Sequence, residues 1–264
     1  MRLESFFDHL WQDYLAIAPM AGRLHQLLVE RGEVVVNDHI AFRTFDRSPI
    51  HLEALEVHLL ALGYQRYQPY HFADKHLRAF GYVHPTGPRV FLSQLETEHF
   101  SPFLRNWVEE SCAAIDPERV KDPSILWSGR LWPAPPWEVY QQLAGESEYA
   151  GWVAALGLRA NHFTVSINEL KTFPGGFGEF LEFVKLHHFP LNEAGGIIKG
   201  SPEVLLEQAS TLADQVEVAF ADGVHRVPTC YYEFALRYAQ PDGTLYPGFV
   251  AASADKIFQS TDRR

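Results

Sequence analysis

The chain has 264 residues, enough for one or two domains with a full hydrophobic core. Its 47% hydrophobic and 14% aromatic content excludes disordered and fibrous classes, and its two cysteines, Cys112 and Cys230, exclude a disulfide framework or a cysteine-rich zinc site. A formal charge of −11 opposes phosphate backbones, so neither nucleic acid nor an anionic membrane is an expected partner.

Residues 1–15 mix Glu4, Asp8, His9 and Asp13 with apolar positions, unlike a secretory signal. No run approaches the roughly 18 apolar residues that cross a bilayer, so a soluble, unprocessed cytoplasmic protein is expected. Helical spacing of Phe6, Leu10, Tyr14 and then Leu24 and Leu28, interrupted by Pro19, predicts two amphipathic helices over the first 30 residues. Residues 34–45 read as a strand with Ile40, Phe42 and Thr44 on one side and His39, Ala41 and Arg43 on the other. Ser48 and Pro49 predict a helix start and Gly63 its end. Residues 64–96, broken at Thr86-Gly87-Pro88, read as antiparallel strands joined by hairpins.

Residues 116–137, with Pro117, Pro123, Pro133, Pro135 and Pro136, read as a stiff extended connection. Beyond it the expectation is a helix over 137–156, a strand over 159–167 bearing His162, a helix over 177–189 and another over 202–212. Strand-like segments follow at 216–220, 231–238 and around Phe249. The second half thus repeats the order of the first, and Asp38-His39-Ile40-Ala41-Phe42 echoes Asn161-His162-Phe163-Thr164-Val165. A single α+β catalytic domain over 1–264, built from two modules of about 1–115 and 137–264, is the economical expectation.

Three strand-like segments each place one ligand-type residue among small or polar neighbours on one face: His39, His162 and Glu233. Two imidazoles and a carboxylate are the facial triad of non-heme Fe(II) enzymes, with zinc as chemical competitor. His71 and His76 in a hairpin region, and His187-His188 at a helix end, read as structural. Cys230 reads as a small buried apolar residue, and Pro174-Gly175-Gly176-Phe177-Gly178, which lacks the lysine of a phosphate loop, as a turn.

The segments Asn37-Asp38-His39-Ile40-Ala41-Phe42-Arg43-Thr44-Phe45, Ala160-Asn161-His162-Phe163-Thr164, Ile198-Lys199-Gly200-Ser201, Glu207-Gln208-Ala209-Ser210-Thr211 and Tyr231-Tyr232-Glu233-Phe234-Ala235 together resemble the 2-oxoadipate dioxygenase/decarboxylase (DUF1338) family. The resemblance implies a vicinal-oxygen-chelate-like fold, with paired βαβββ-like modules forming a curved sheet around one metal. It implies His39, His162 and Glu233 as Fe(2+) ligands, a site that Zn, Ni or Mn can also occupy, and Arg43 as the residue that holds the substrate's distal carboxylate. Lys199, Ser201 and Gln208 match family motif positions on the substrate side, with a helix-start and loop-packing network as their alternative reading. The implied reaction takes a 2-oxo acid, 2-oxoadipate, and O2 to 2-hydroxyglutarate and CO2 with no separate 2-oxoglutarate. Arg43 has an alternative reading, an inward arginine paired with a structural acid such as Asp38 or Glu233. A redox-neutral glyoxalase-type isomerase or lyase, a metal-dependent hydrolase and a non-catalytic binding module remain the other readings of the metal site.

Overall fold

The computed structural model describes residues 1–251 and is α+β. The chain opens with α1 (Leu3–Ile17) and α2 (Pro19–Glu30), parted at Pro19 as the spacing predicts. Phe6, Leu10, Tyr14 and Ile17 of α1, and Met20, Ala21, Leu24 and Leu28 of α2, form one buried stripe, each large apolar side chain contributing about 1.5–3 kcal/mol by leaving water. That stripe packs on the outer face of the sheet, where Trp11 meets Phe163 at 5.0 Å and Tyr232 at 6.0 Å.

Next come β1 (Asn37–Phe45), α3 (Leu52–Ala61), β2 (Gln65–Phe72), β3 (Leu77–Val83) and β4 (Arg89–Leu95), then α4 (Pro102–Ala113) and the single turn α5 (Pro117–Val120). The second part runs α6 (Trp137–Glu146), α7 (Glu148–Leu156), β5 (Ala160–Ser166), α8 (Gly176–Leu186), β6 (Lys199–Ser201), β7 (Leu206–Ser210), the hairpin of β8 (Gln215–Phe220) with β9 (Gly223–Pro228), and β10 (Tyr231–Arg237). Eight strands form one sheet in the order β2-β3-β4-β1-β5-β10-β7-β6, curled into a half-barrel. Its two halves have one pattern: β1 is parallel to β4 and β5 to β10, while the outer neighbours are antiparallel. The two halves join through β1 and β5, antiparallel, with Ala41 opposite His162.

Several sequence expectations need correction. Residues 202–212 are not a helix: a 3-10 turn at Pro202–Val204 leads through Leu205, at φ 62°, into β7. Leu206, Glu207 and Gln208 favour helix intrinsically, but pairing on both sides between β10 and β6 overrides propensity. Phe249 is buried outside any strand, its backbone N–H donating to the Tyr70 hydroxyl. Residues 137–156 are two helices because extended Ser147 ends α6 and its hydroxyl accepts from Ala150 N–H to start α7. The first strand begins at Asn37, α3 begins at Leu52 after a cis Ser48-Pro49 turn, and the proline-rich connection contains α5 and a 3-10 turn at Pro123–Trp127. Helix α4 and strands β6 and β9 have no counterpart in the sequence expectations.

Gly157 sets β5 in place after α7. It sits at φ 76°, and a Cβ there would fall 2.2 Å from the Gly129 carbonyl, so only glycine lets the Gly129 and Leu158 backbones exchange hydrogen bonds. Among the described residues no helix is long and apolar enough to cross a membrane.

Candidate metal centre

Strands β1, β5 and β10 lie side by side, and their pleat carries alternate side chains to one face: His39, Ala41 and Arg43; His162 and Thr164; Tyr231, Glu233, Ala235 and Arg237. The His39, His162 and Glu233 side chains thus converge from three neighbouring strands, with one potential ligand atom from each lying within 4.8 Å of the others. The Glu233 carboxylate oxygens stand 3.2 Å from His39 Nε2 and 3.3 Å from His162 Nε2. All three residues are at most 5% exposed.

The outer contacts aim the imidazoles. His39 Nδ1 lies 2.7 Å from Asp38 Oδ1 and His162 Nδ1 lies 3.1 Å from Asn161 Oδ1, contacts that assign the proton to Nδ1 and leave the Nε2 lone pair facing the centre. Asp38 is itself gripped by Arg237, with Nε 2.7 Å from Oδ2 and Nη2 2.9 Å from Oδ1. Glu233 Oε1 accepts from Gln208 Nε2 at 2.5 Å, and the Tyr231 ring stacks on His162 at 4.7 Å.

Electrostatics fit the same reading. Burial opposes charge on His39, yet Glu233 and Asp38 outweigh it and raise the imidazole pKa. Burial pushes His162 down to about 3 despite Glu233, so this ring is neutral and ready to donate. Burial opposes the charge on Glu233 too, but His162 and His39 hold its pKa below the ordinary carboxylate value. In the charged form of His39 the second proton, on Nε2 facing Glu233, is the one a divalent cation would replace. Buried Gln208 Oε1 and Asn161 Nδ2 have no hydrogen-bond partner among the described residues, leaving polar capacity beside the centre. Two imidazole nitrogens and a carboxylate in this grouping fit a non-heme iron ion, and the same donors suit zinc.

Arg43 is 2% exposed and lies across the Tyr149 and Trp152 rings at 5.0 and 5.3 Å. Its acid partner is neither Asp38 nor Glu233 but Glu148, at the start of α7, 2.8 Å from Nη1. Lys199 and Gln208 are opposite one another in β6 and β7. Lys199 Nζ donates to the Asn192 and Ile197 carbonyls, and burial, partly offset by Glu233, lowers its pKa to about 8. Ser201, half-buried at the end of β6, hydrogen-bonds the exposed Glu203 carboxylate instead.

Residues outside this centre have ordinary roles. His71 is exposed beside Glu96, His76 stacks on His99, and Cys230 is buried with its thiol pKa raised by that burial. Sequence reasoning did not give Asp38 and Asn161 their task of aiming the histidines, although the aligned Asp38-His39 and Asn161-His162 pairs carried that signal. Arg237, Glu148 and Tyr231 left no comparable mark.

The sequence profile of the 2-oxoadipate dioxygenase/decarboxylase family matches residues 12–122 and 125–244. A protein of Oryza sativa subsp. japonica named 2-oxoadipate dioxygenase/decarboxylase is 32% identical over 98% of this chain and 79% of its own. A crystal structure of hydroxyglutarate synthase from Oryza sativa in complex with 2-oxoadipate superposes with a TM-score of 0.92 at 31% identity, covering 97% of this chain and 91% of that one. A Shewanella frigidimarina structure named as a hydrolase gives 0.89 at 45% identity over 94% and 98%. For the fold alone, a glyoxalase-superfamily protein of Ralstonia eutropha gives 0.74 at 24% identity over 91% and 83%, in line with the vicinal-oxygen-chelate-like expectation.

Proposed function

The chain belongs to the 2-oxoadipate dioxygenase/decarboxylase family, and from that membership we propose that it is an Fe(2+)-dependent enzyme converting 2-oxoadipate and O2 to 2-hydroxyglutarate and CO2 in the cytoplasm. The observation that carries the proposal is the buried His39–His162–Glu233 group with Arg43 on the same face of the sheet. Iron bound there supplies the O2 activation that oxidative decarboxylation of a 2-oxo acid requires. The protein's own part is to hold His39 and His162 with Nε2 inward through Asp38 and Asn161, to fix Glu233 through Gln208, and to exclude water by burial. Arg43 is four residues along β1 from His39, about 13 Å at 3.3 Å per residue, a span a six-carbon diacid and a folded arginine side chain can bridge.

Oxygen-electrode and CO2 measurements on anaerobically iron-loaded protein test this reading. The expected result is one CO2 released per O2 consumed with 2-oxoadipate and no added 2-oxoglutarate. Full turnover under strict anaerobiosis would select a redox-neutral metal-dependent hydrolase or isomerase instead, the reading favoured by the name of the Shewanella relative. The ligand residues would keep their role in either case.

Arg43→Met tests the substrate assignment. Loss of a charge-assisted contact should weaken 2-oxoadipate binding by about 1.5–3 kcal/mol, roughly tenfold to a hundredfold. The fold should survive, since the Glu148 side chain is 30% exposed and can turn to water once its partner is gone. Metal content should stay at the wild-type level and monocarboxylic 2-oxo acids should lose little; equal losses for mono- and diacids would make Arg43 structural.

A further inference from the structure

Tyr231 is completely buried, and its hydroxyl has no hydrogen-bond partner among the described residues. A buried hydroxyl without a partner is costly, and buried tyrosines normally find one. The position of this one is informative. Tyr231 is directly opposite His162 in the parallel β5/β10 pair, and its ring stacks on that imidazole at 25°. It precedes Glu233 by two residues and so shares its face. The register of β1, β5 and β10 carries Arg43 and Tyr231 to the same side of the His39–His162–Glu233 group, while Asp38 and Arg237 are paired on the other. Glu233 acts most strongly on the phenol electrostatically, followed by the Arg43 guanidinium and the Glu148 carboxylate.

The neighbouring Tyr232 hydroxyl is also without a partner among the described residues, but its ring faces Trp11 and Phe234 in the apolar layer under the helices, where none of the described charges acts on it. The two tyrosines therefore form an internal comparison, one hydroxyl at the candidate centre and one in the core.

We propose that the Tyr231 hydroxyl is a substrate-binding donor that, together with Arg43, receives the distal carboxylate of a 2-oxo diacid and so gauges its length. This deepens the reading of the site as a 2-oxo acid centre and rests on it. A phenol is protonated at neutral pH and donates, and a carboxylate offers an acceptor to both groups at once.

Tyr231→Phe removes the oxygen and keeps the ring. Metal-loaded wild type, Tyr231→Phe and Tyr232→Phe are titrated calorimetrically under argon with 2-oxoadipate and with 2-oxohexanoate, the same chain without the second carboxylate. Melting temperature and metal content are measured alongside. Tyr231→Phe should melt no lower than wild type, keep its metal and bind 2-oxoadipate about tenfold or more weakly, with 2-oxohexanoate within twofold. Tyr232→Phe should bind both acids as wild type does. Unchanged diacid affinity, equal weakening for both acids, a fall in melting temperature or metal content, or a wild type that does not discriminate the two acids would overturn the assignment. A wild type that discriminates them through Tyr231 under argon but consumes no O2 in air would leave it standing and overturn the dioxygenase reading instead.

Discussion

Replacing His39, His162 or Glu233 by alanine is expected to empty the metal site and bring turnover below detection, the largest functional effect any single substitution in this chain should have. Three converging donors hold a dication because the sheet has already met the entropy cost of bringing them together; any remaining pair is a weak chelate. Removing Glu233 also takes away the one carboxylate that both imidazoles face, at 3.2 and 3.3 Å. Metal analysis of the three purified variants checks this, with His71→Ala as control because His71 is exposed and pairs with Glu96 at 3.1 Å, away from the centre. Wild-type metal content in all three variants would end the ligand assignment, whatever their activity.

The largest loss of stability is expected for Arg237→Met. Arg237 makes two hydrogen bonds to the Asp38 carboxylate and two more from Nη1 to the carbonyls of Tyr246 and Gly248, and its side chain is fully buried. Breaking a buried pair by removing one partner costs about 3–5 kcal/mol, because the other charge stays behind without compensation. Arg89, 3.5 Å from Asp38, is too distant to replace a two-pronged contact. At roughly 2–4 °C per kcal/mol for a chain of this size, calorimetry should show a melting temperature lower by about 6–20 °C. Metal affinity should fall by about 10–100-fold as well, since Asp38 is the group that aims His39. By contrast, Lys121→Ala should change nothing measurable, because the Lys121–Glu118 pair is on the surface, its side chains 70% and 72% exposed. A melting point within 2 °C of wild type for Arg237→Met would show that the pair is not a keystone.

The Asp38–Arg237 pair also has a sign with pH. Burial opposes the Asp38 charge, but Arg237 and His39 hold its carboxyl below the ordinary aspartate value. A depressed folded-state pKa contributes stability that is present above the unfolded-state value and lost as the pH falls through the folded one. In neutral assays the pair is therefore fully charged, and the Arg237→Met comparison is made at its full effect.

Much of the architecture was legible because local patterns and tertiary demands agree. The stripe of Phe6, Leu10 and Tyr14, the stop at Pro19 and the alternation around His39, His162 and Glu233 each have one stable solution on an apolar layer. Agreement failed at residues 206–210, where helix-favouring side chains are held as β7 by partners 23 or more residues distant in β10. It failed also at Ser147, where a single extended residue divides a pattern that looks continuous.

The family, the α+β class and the residues that meet at the centre were readable from the sequence alone, since motif order and a two-residue period mark the converging side chain on each strand. What only the tertiary structure decided is which charges compensate one another. Arg43 meets Glu148 rather than Asp38 or Glu233, Asp38 meets Arg237 across 199 positions of chain, and Gln208 reaches Glu233 only because β7 is a strand. Periodicity states which way a side chain points from its own element, but a buried charge takes whichever opposite charge the fold brings within about 3 Å, and that depends on register and curvature between strands remote in sequence.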